Sequence, residues 1–208
     1  SVLGVDLSED MLGVARARVA AAGLTNTAFV AADATTFAPE PAGFDLAVSR
    51  FGVMFFDDPE AAFANIRSLL APGGRLVFAC WQSLLVNDWL LVPAAAVADV
   101  LPLPVPGDPH APGPFAFADA ARVRGILERA GFRGVAHEAL LGEIALGRTI
   151  DEALAFATEI GPAGSALRGA TDAQRDAALA SMRETLEAKL KADGVRMAYA
   201  AWIVTAER

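Results

Sequence analysis

Two aspartates stand directly after short apolar runs: Asp6 closes VLGVD and Asp33 closes TAFVAAD. An ionised carboxylate accepts hydrogen bonds and donates none, which suits the hydroxyls of a ribose or an exocyclic amine. Arg50 closes a third apolar run, FDLAVSR, and Trp81 a fourth, RLVFACW. If the runs are strands of an open parallel sheet, all four residues gather at its carboxyl edge, where such sheets bind ligands. A local use competes at each position. Asp6 could cap a helix beside Ser8, Asp33 could be a turn aspartate before Ala34-Thr35, and Arg50 could pair with Asp57-Asp58. Equivalent placement of the two aspartates on consecutive runs favours a shared site. Other reactive residues are sparse: Cys80, His110 and His137 are the only cysteine and histidines, and they lie far apart, which argues against a metal centre. His110, in a proline-rich stretch, could be a base or a solvated loop residue, and His137 reads as a strand residue.

The elements that must position these residues alternate. Val2–Asp6 is apolar throughout, as a strand buried on both faces requires. Ser8, followed by Glu9 and Asp10, is a helix start, and Met11, Leu12, Ala15, Val19 and Ala22 keep helical spacing up to Gly23. Strands follow over 27–33 and 44–50. Asp58-Pro59 opens a second helix, Pro72-Gly73-Gly74 ends it, and a strand runs over 75–81. Beyond Trp81 come a helix at about 88–100, the irregular PLPVPGDPHAPGP, and a helix capped by Asp119. A strand over 132–144 follows, then helices with capping-box starts at Thr149 and Thr171, and a final strand over 198–206. Leu179, Met182, Leu186 and Leu190 form one apolar stripe. The alternation predicts an α/β protein with a parallel sheet and right-handed crossovers.

The chain has 208 residues, 54% of them hydrophobic, and a formal net charge of −8. That acidity argues against sequence-independent binding to nucleic acid, which needs cations to neutralise phosphates. No run of about 18 uncharged apolar residues is present, so no transmembrane helix is expected. The single cysteine suits a reducing cytoplasm.

GVDLSEDMLGVAR, FVAADATTF, FDLAVSRFGVMFF and LLAPGGRLVFACW, in this order and at these spacings, resemble class I S-adenosylmethionine-dependent methyltransferases of the ubiquinone and menaquinone biosynthesis branch. NDW, GPFAFAD and DGVRMAYAAWIVTAER look familiar from one bacterial branch. The resemblance implies a doubly wound, Rossmann-like sheet, mostly parallel with an antiparallel last strand and helical cap insertions. Its implied divisions are a partial cofactor-binding core at 1–82, an insertion at 83–118, a core helix and strand at 119–148, a helical insertion at 149–193 and a last strand at 194–208. A strand with a glycine-rich loop normally precedes the Val2–Asp6 strand and lies between it and the Phe44–Arg50 strand. That unit has no counterpart here, so both strands should show unpaired edges, and the chain is expected to be the later part of a longer protein.

The implied cofactor is S-adenosylmethionine. By resemblance Asp6 takes the ribose hydroxyls, and Leu7 and Met11 flank the nucleoside, although Met11 could equally be core. Asp33 meets the adenine amine, the Ala34 N–H meets the ring, and Ser49, Arg50 and Phe51 line the methionine end. No acidic-Pro-Pro-aromatic motif follows the Phe44–Arg50 strand, which disfavours N-methylation of bases or glutamine. Phe55, Trp81 and Trp89, with Phe51, Phe56, Phe115 and Phe117, are candidates for an apolar acceptor pocket, and each could also be ordinary core. The expected activity is O- or C-methylation of a small apolar or aromatic molecule by a monomer or homodimer; no catalytic base can be named. The alternative is a binding module that keeps the cofactor site without turnover. A nicotinamide-dependent dehydrogenase would share Asp6 but explains neither Asp33 nor Pro72-Gly73-Gly74.

Overall fold

The computed structural model describes residues 1–40, 42–105 and 107–208; Pro106, within the proline-rich stretch, and Pro41 lie outside them. Strand β1 (Val2–Asp6) runs parallel to β2 (Thr27–Ala31) in a two-stranded sheet, with Asp6 opposite Ala31. Helix α1 (Glu9–Ala21) joins them. The Ser8 hydroxyl accepts from the Met11 N–H and caps it. Of the expected apolar stripe only Leu12 is buried, and Met11 is 64% exposed. The periodicity is real, but α1 packs appreciably on β1 and β2 alone.

The second sheet has the order β3-β4-β7-β5. Strand β3 (Phe44–Arg50) is parallel to β4 (Leu70–Trp81), while β7 (Gly194–Glu207) runs antiparallel to both β4 and β5 (Arg133–Gly147). A two-residue strand, β6 (Leu190–Lys191), turns back onto β7. Strands β1 and β3 belong to different sheets, so each has an unpaired edge, as expected. The α/β architecture with one strand reversed at the end of the chain is also as expected.

Helix α2 (Pro59–Leu69) starts where the Asp58 carboxylate accepts from the Ala61 N–H. It ends directly into β4 at Leu70, so Pro72-Gly73-Gly74 lies inside the strand rather than before it. A register shift against β3, between Phe44 and Leu46, absorbs those residues. Helix α4 (Ala120–Arg129) is capped by Asp119. One face of the sheet, with α2 and α4, encloses a core built on Phe63, Phe78, Phe117, Leu76, Leu127 and Val204.

Helix α3 (Asp88–Ala98) joins α5 (Ile150–Glu159), α6 (Gly161–Arg168) and α7 (Asp172–Glu187) around a second core of Val97, Ala157, Leu167, Ala178 and Met182. Thr149 and Thr171 cap α5 and α7 as expected. The α7 stripe is Ala178, Met182 and Leu186, fully buried, with Leu179 half-buried; Leu190 lies beyond the helix, in β6, and is 48% exposed. Helix α6 was not foreseen, because Gly161-Pro162 reads as a breaker. Gly164 lets it turn tightly on α5, since a Cβ there would lie 2.5 Å from the Thr158 carbonyl oxygen. A third cluster, containing Trp89, Leu146, Ala153, Leu186 and Val195, ties these helices to β5 and β7.

Candidate functional site

The parallel register that sets Asp6 opposite Ala31 continues with the Ala32 N–H donating to the Asp6 carbonyl at 3.0 Å. Asp6 and Asp33 therefore share the carboxyl edge of β1 and β2. Strand β2 ends at Ala31, two residues before the expected limit, and leaves Asp33 in the following turn. The Ser8 N–H donates to Asp6 Oδ1 and the Thr35 N–H to Asp33 Oδ1, both at 2.8 Å. The local and the ligand-binding uses are thus compatible: the turn bond orients each carboxylate through one oxygen, and no backbone N–H meets the other among the described residues. Thr35, through its N–H and its hydroxyl, holds the Asp33 carboxyl below the ordinary carboxylate range.

Leu7 and Met11 are 75% and 64% exposed, so neither is a core residue. Met11 lines an open apolar depression with Val14, Val19 and Phe29. The Ala34 carbonyl accepts from Asn65 Nδ2 at 2.9 Å, and the same amide donates to the Phe37 carbonyl at 3.0 Å, which fastens the Asp33 turn to α2.

At the end of β3, Ser49 is half-buried and Arg50 is exposed. Arg50 makes no ion pair among the described residues; Asp58, one of its two expected partners, caps α2 instead. Phe51 has φ 61°, the one positive value at a non-glycine residue among those described. A bulky residue adopts that conformation only when its surroundings hold it there. They do: the Phe51 N–H donates to the Ala79 carbonyl at 3.0 Å, and its ring stacks on Trp81 at 4.1 Å and 13°.

Trp81 anchors a wall of rings. Trp89 lies at 5.1 Å, Tyr199 meets it edge-on at 6.1 Å, and Phe156 follows Trp89 at 6.3 Å. Phe115 packs on the same cluster. Trp89 is itself buried, so it backs the wall. Phe55 is 55% exposed and is not one of the rings of this cluster. Phe56 and Phe117 pack around Phe63 in the sheet core.

Asn87 locks this wall to the sheet. It is fully buried. Its Nδ2 donates to the carbonyls of Gln82 (3.2 Å), Ser83 (2.9 Å) and Ala200 (3.1 Å). Its Oδ1 accepts from Trp89 Nε1 at 3.1 Å and from the Ala200 N–H at 3.0 Å. Asn87, Tyr199 and Phe156 escape sequence reasoning. The signal available was Asn87-Asp88-Trp89 at a helix start, yet Asn87 does not cap α3 with its side chain.

The histidines and the cysteine stay out of this site. His110 is exposed. His137 faces Trp202, and burial together with Arg124 lowers its pKa. Cys80 is buried, with its thiol pushed up to about 12. No group of metal-ligating side chains occurs among the described residues. No helix among them is long and apolar enough to cross a membrane.

Residues 1–74 match the family described as a methyltransferase domain. The chain is 40% identical over 76 residues to demethylmenaquinone methyltransferase of Thermus thermophilus, covering 36% of this chain and 34% of that protein. It is 31% identical over 153 residues to ubiquinone biosynthesis O-methyltransferase of Paraburkholderia phymatum, covering 72% of this chain and 65% of that one. The chain thus spans about a third of the first relative and just under two thirds of the second. Phosphoethanolamine N-methyltransferase 2 of Haemonchus contortus, solved with S-adenosyl-L-methionine, shares the fold with a TM-score of 0.53 at 19% identity, over 99% of this chain and 43% of that one. Sequence and sheet order agree: residues 1–74 match a methyltransferase domain, and the chain has the fold of a methyltransferase solved with S-adenosyl-L-methionine.

Proposed function

We propose that this chain carries nucleoside- and acceptor-binding parts of an enzyme that methylates a small, apolar or aromatic molecule at oxygen or carbon. The observation that supports this best is the placement of two half-used carboxylates, Asp6 and Asp33, at one edge of β1 and β2. S-adenosylmethionine supplies an electrophilic methyl group on a sulfonium. The residues present fit it: the free oxygens of Asp6 and Asp33 are acceptors for ribose hydroxyls and an adenine amine, while exposed Leu7 and Met11 offer apolar surface beside them. In this reading the Ala34 N–H meets the adenine ring, and Ser49, Arg50 and Phe51 line the methionine end. The ring wall around Trp81 excludes water and aligns the acceptor, and alignment alone can supply much of the acceleration. The reading also places the protein in the cytoplasm, as monomer or homodimer, with no nucleic-acid partner.

A second reading has its own support. His137 faces Trp202 and Cys80 lies in the sheet core, so neither serves the ring wall as a base, which suits a cofactor-binding module without turnover. Calorimetric titration of S-adenosylhomocysteine into the full-length protein and its Asp6→Ala variant tests the shared site. Micromolar binding that weakens at least about tenfold in the variant is expected, because hydrogen bonds to a charged group are lost. Equal binding by both proteins, or none by either, would end the assignment. Transfer of labelled methyl groups to small molecules of a cell extract separates the enzyme from the module.

A further inference from the structure

The ring wall has faces and edges, and they are not equally available. Phe51 covers one face of Trp81 at 4.1 Å, and Trp89 tilts against it at 5.1 Å. Tyr199 approaches Trp81 edge-on, at 6.1 Å and 79°. Trp81 is in register with Ala201 of antiparallel β7, so Tyr199, two residues before it, stands beyond the carboxyl end of β4. Its ring lies over Gly142, its partner on β5, where a Cβ would come within 2.9 Å of the ring and of the hydroxyl. Glycine at 142 is what lets the tyrosine ring lie down there.

Three rings in this cluster carry a polar atom. The Trp89 indole N–H is committed to Asn87 Oδ1. The Trp81 indole N–H and the Tyr199 hydroxyl have no partner among the described residues, and neither is a buried orphan, so both reach the surface. Two free polar tips on an apolar wall are the means by which such sites orient a ligand. Indole N–H only donates, whereas a phenol donates or accepts. Each can meet an oxygen with lone pairs.

We propose that the Trp81 indole N–H and the Tyr199 hydroxyl are specificity-determining groups of the acceptor site, each able to hold an oxygen substituent of a flat, otherwise apolar acceptor. This rests on the acceptor-site part of the methyl-transfer reading. It does not require cofactor to be bound.

The test is equilibrium dialysis of the full-length protein against 2-naphthol, 2-methoxynaphthalene and naphthalene. These share one ring system and differ in the oxygen. The expected order is 2-naphthol, then 2-methoxynaphthalene, then naphthalene, with naphthol preferred over naphthalene about tenfold. In Tyr199→Phe, which keeps the ring on Gly142, that preference falls to about threefold; in Trp81→Phe it falls similarly. Asp6→Ala leaves it unchanged. A ratio between probes is insensitive to a general loss of packing, so a merely structural role would not move it. Equal binding of naphthol and naphthalene by the wild type overturns the proposal. So does a ratio that Tyr199→Phe leaves intact, or failure of every probe to bind. Titrating S-adenosylhomocysteine into the same preparations separates the two claims. If it does not bind but the ratio responds to Tyr199→Phe, the methyl-transfer reading falls and the recognition pair stands; if it binds and the ratio does not respond, the converse holds.

Discussion

Replacing Asn87 by alanine removes an amide that five groups share. Ala200 and Ser83 lose least as acceptors: the Ala200 carbonyl still accepts from the Gln82 N–H at 3.1 Å, and the Ser83 carbonyl from the Val86 N–H at 3.1 Å. The two donors have no such reserve. The Ala200 N–H and Trp89 Nε1–H both point at Asn87 Oδ1, in a residue with no solvent exposure. A buried donor stranded in this way costs about 1–3 kcal/mol. Two of them give a destabilisation of about 4 kcal/mol, which for a chain of this size lowers Tm by about 8–16 °C. Differential scanning calorimetry of wild type and Asn87→Ala reads the effect directly, and the indole emission of Trp89 reports whether the ring has been released. Asn87→Asp adds a check on sign. A carboxylate buried among three carbonyl oxygens should have a raised pKa, so folding favours its protonated form. That variant is closest to wild type at acid pH and loses stability as pH rises through its raised pKa. A loss below about 1 kcal/mol in Asn87→Ala, with unchanged emission, would refute the idea that this amide fastens the insertion to the sheet.

Phe63→Ala should cost about 3–5 kcal/mol in chemical denaturation, since Phe63 is fully buried and its ring meets Phe78, Phe117 and Phe56 within 6.0 Å. Thr171→Ala breaks the capping box that starts α7 and should lower Tm by about 2–4 °C, read by circular dichroism. Cys80 should resist a disulfide-exchange reagent until the protein unfolds, because burial raises its thiol pKa to about 12. Folding favours the neutral thiol there, so this contribution to stability is complete below the ordinary thiol range and is lost as pH rises toward 12; Cys80→Ala should flatten that alkaline decline.

The parts of the fold legible in the sequence were those dictated locally. VLGVD and TAFVA are strands because continuous apolar runs leave little else, and Ser8, Asp58, Asp119, Thr149 and Thr171 start helices because their side chains bond the first free N–H groups. What depends on partners was not legible. Strands β5 and β7 run to 15 and 14 residues because each supplies the other's ladder, and no property of either segment alone fixes that length. The stripe on α1 has helical period yet lies open, since period says which residues share a face and not whether anything covers it. The same holds at the site. Asp6 and Asp33 announce themselves at strand ends. Asn87 and its Ala200 partner are 113 residues apart, and Tyr199 matters only because β7 carries it past Trp81.

The attachment of the Asp33 turn to α2 bears on motion as well as on shape. Among the described residues, the hydrogen bonds from residues 1–40 to the rest of the chain are the two that Asn65 donates. Leu12 is the one core residue in that segment. Each of those bonds ends on a carbonyl of the segment that holds Asp33, so replacing Asn65 would free that turn from α2. The placement of the Asp33 carboxylate is then set in part by Asn65, a side chain that need never touch it.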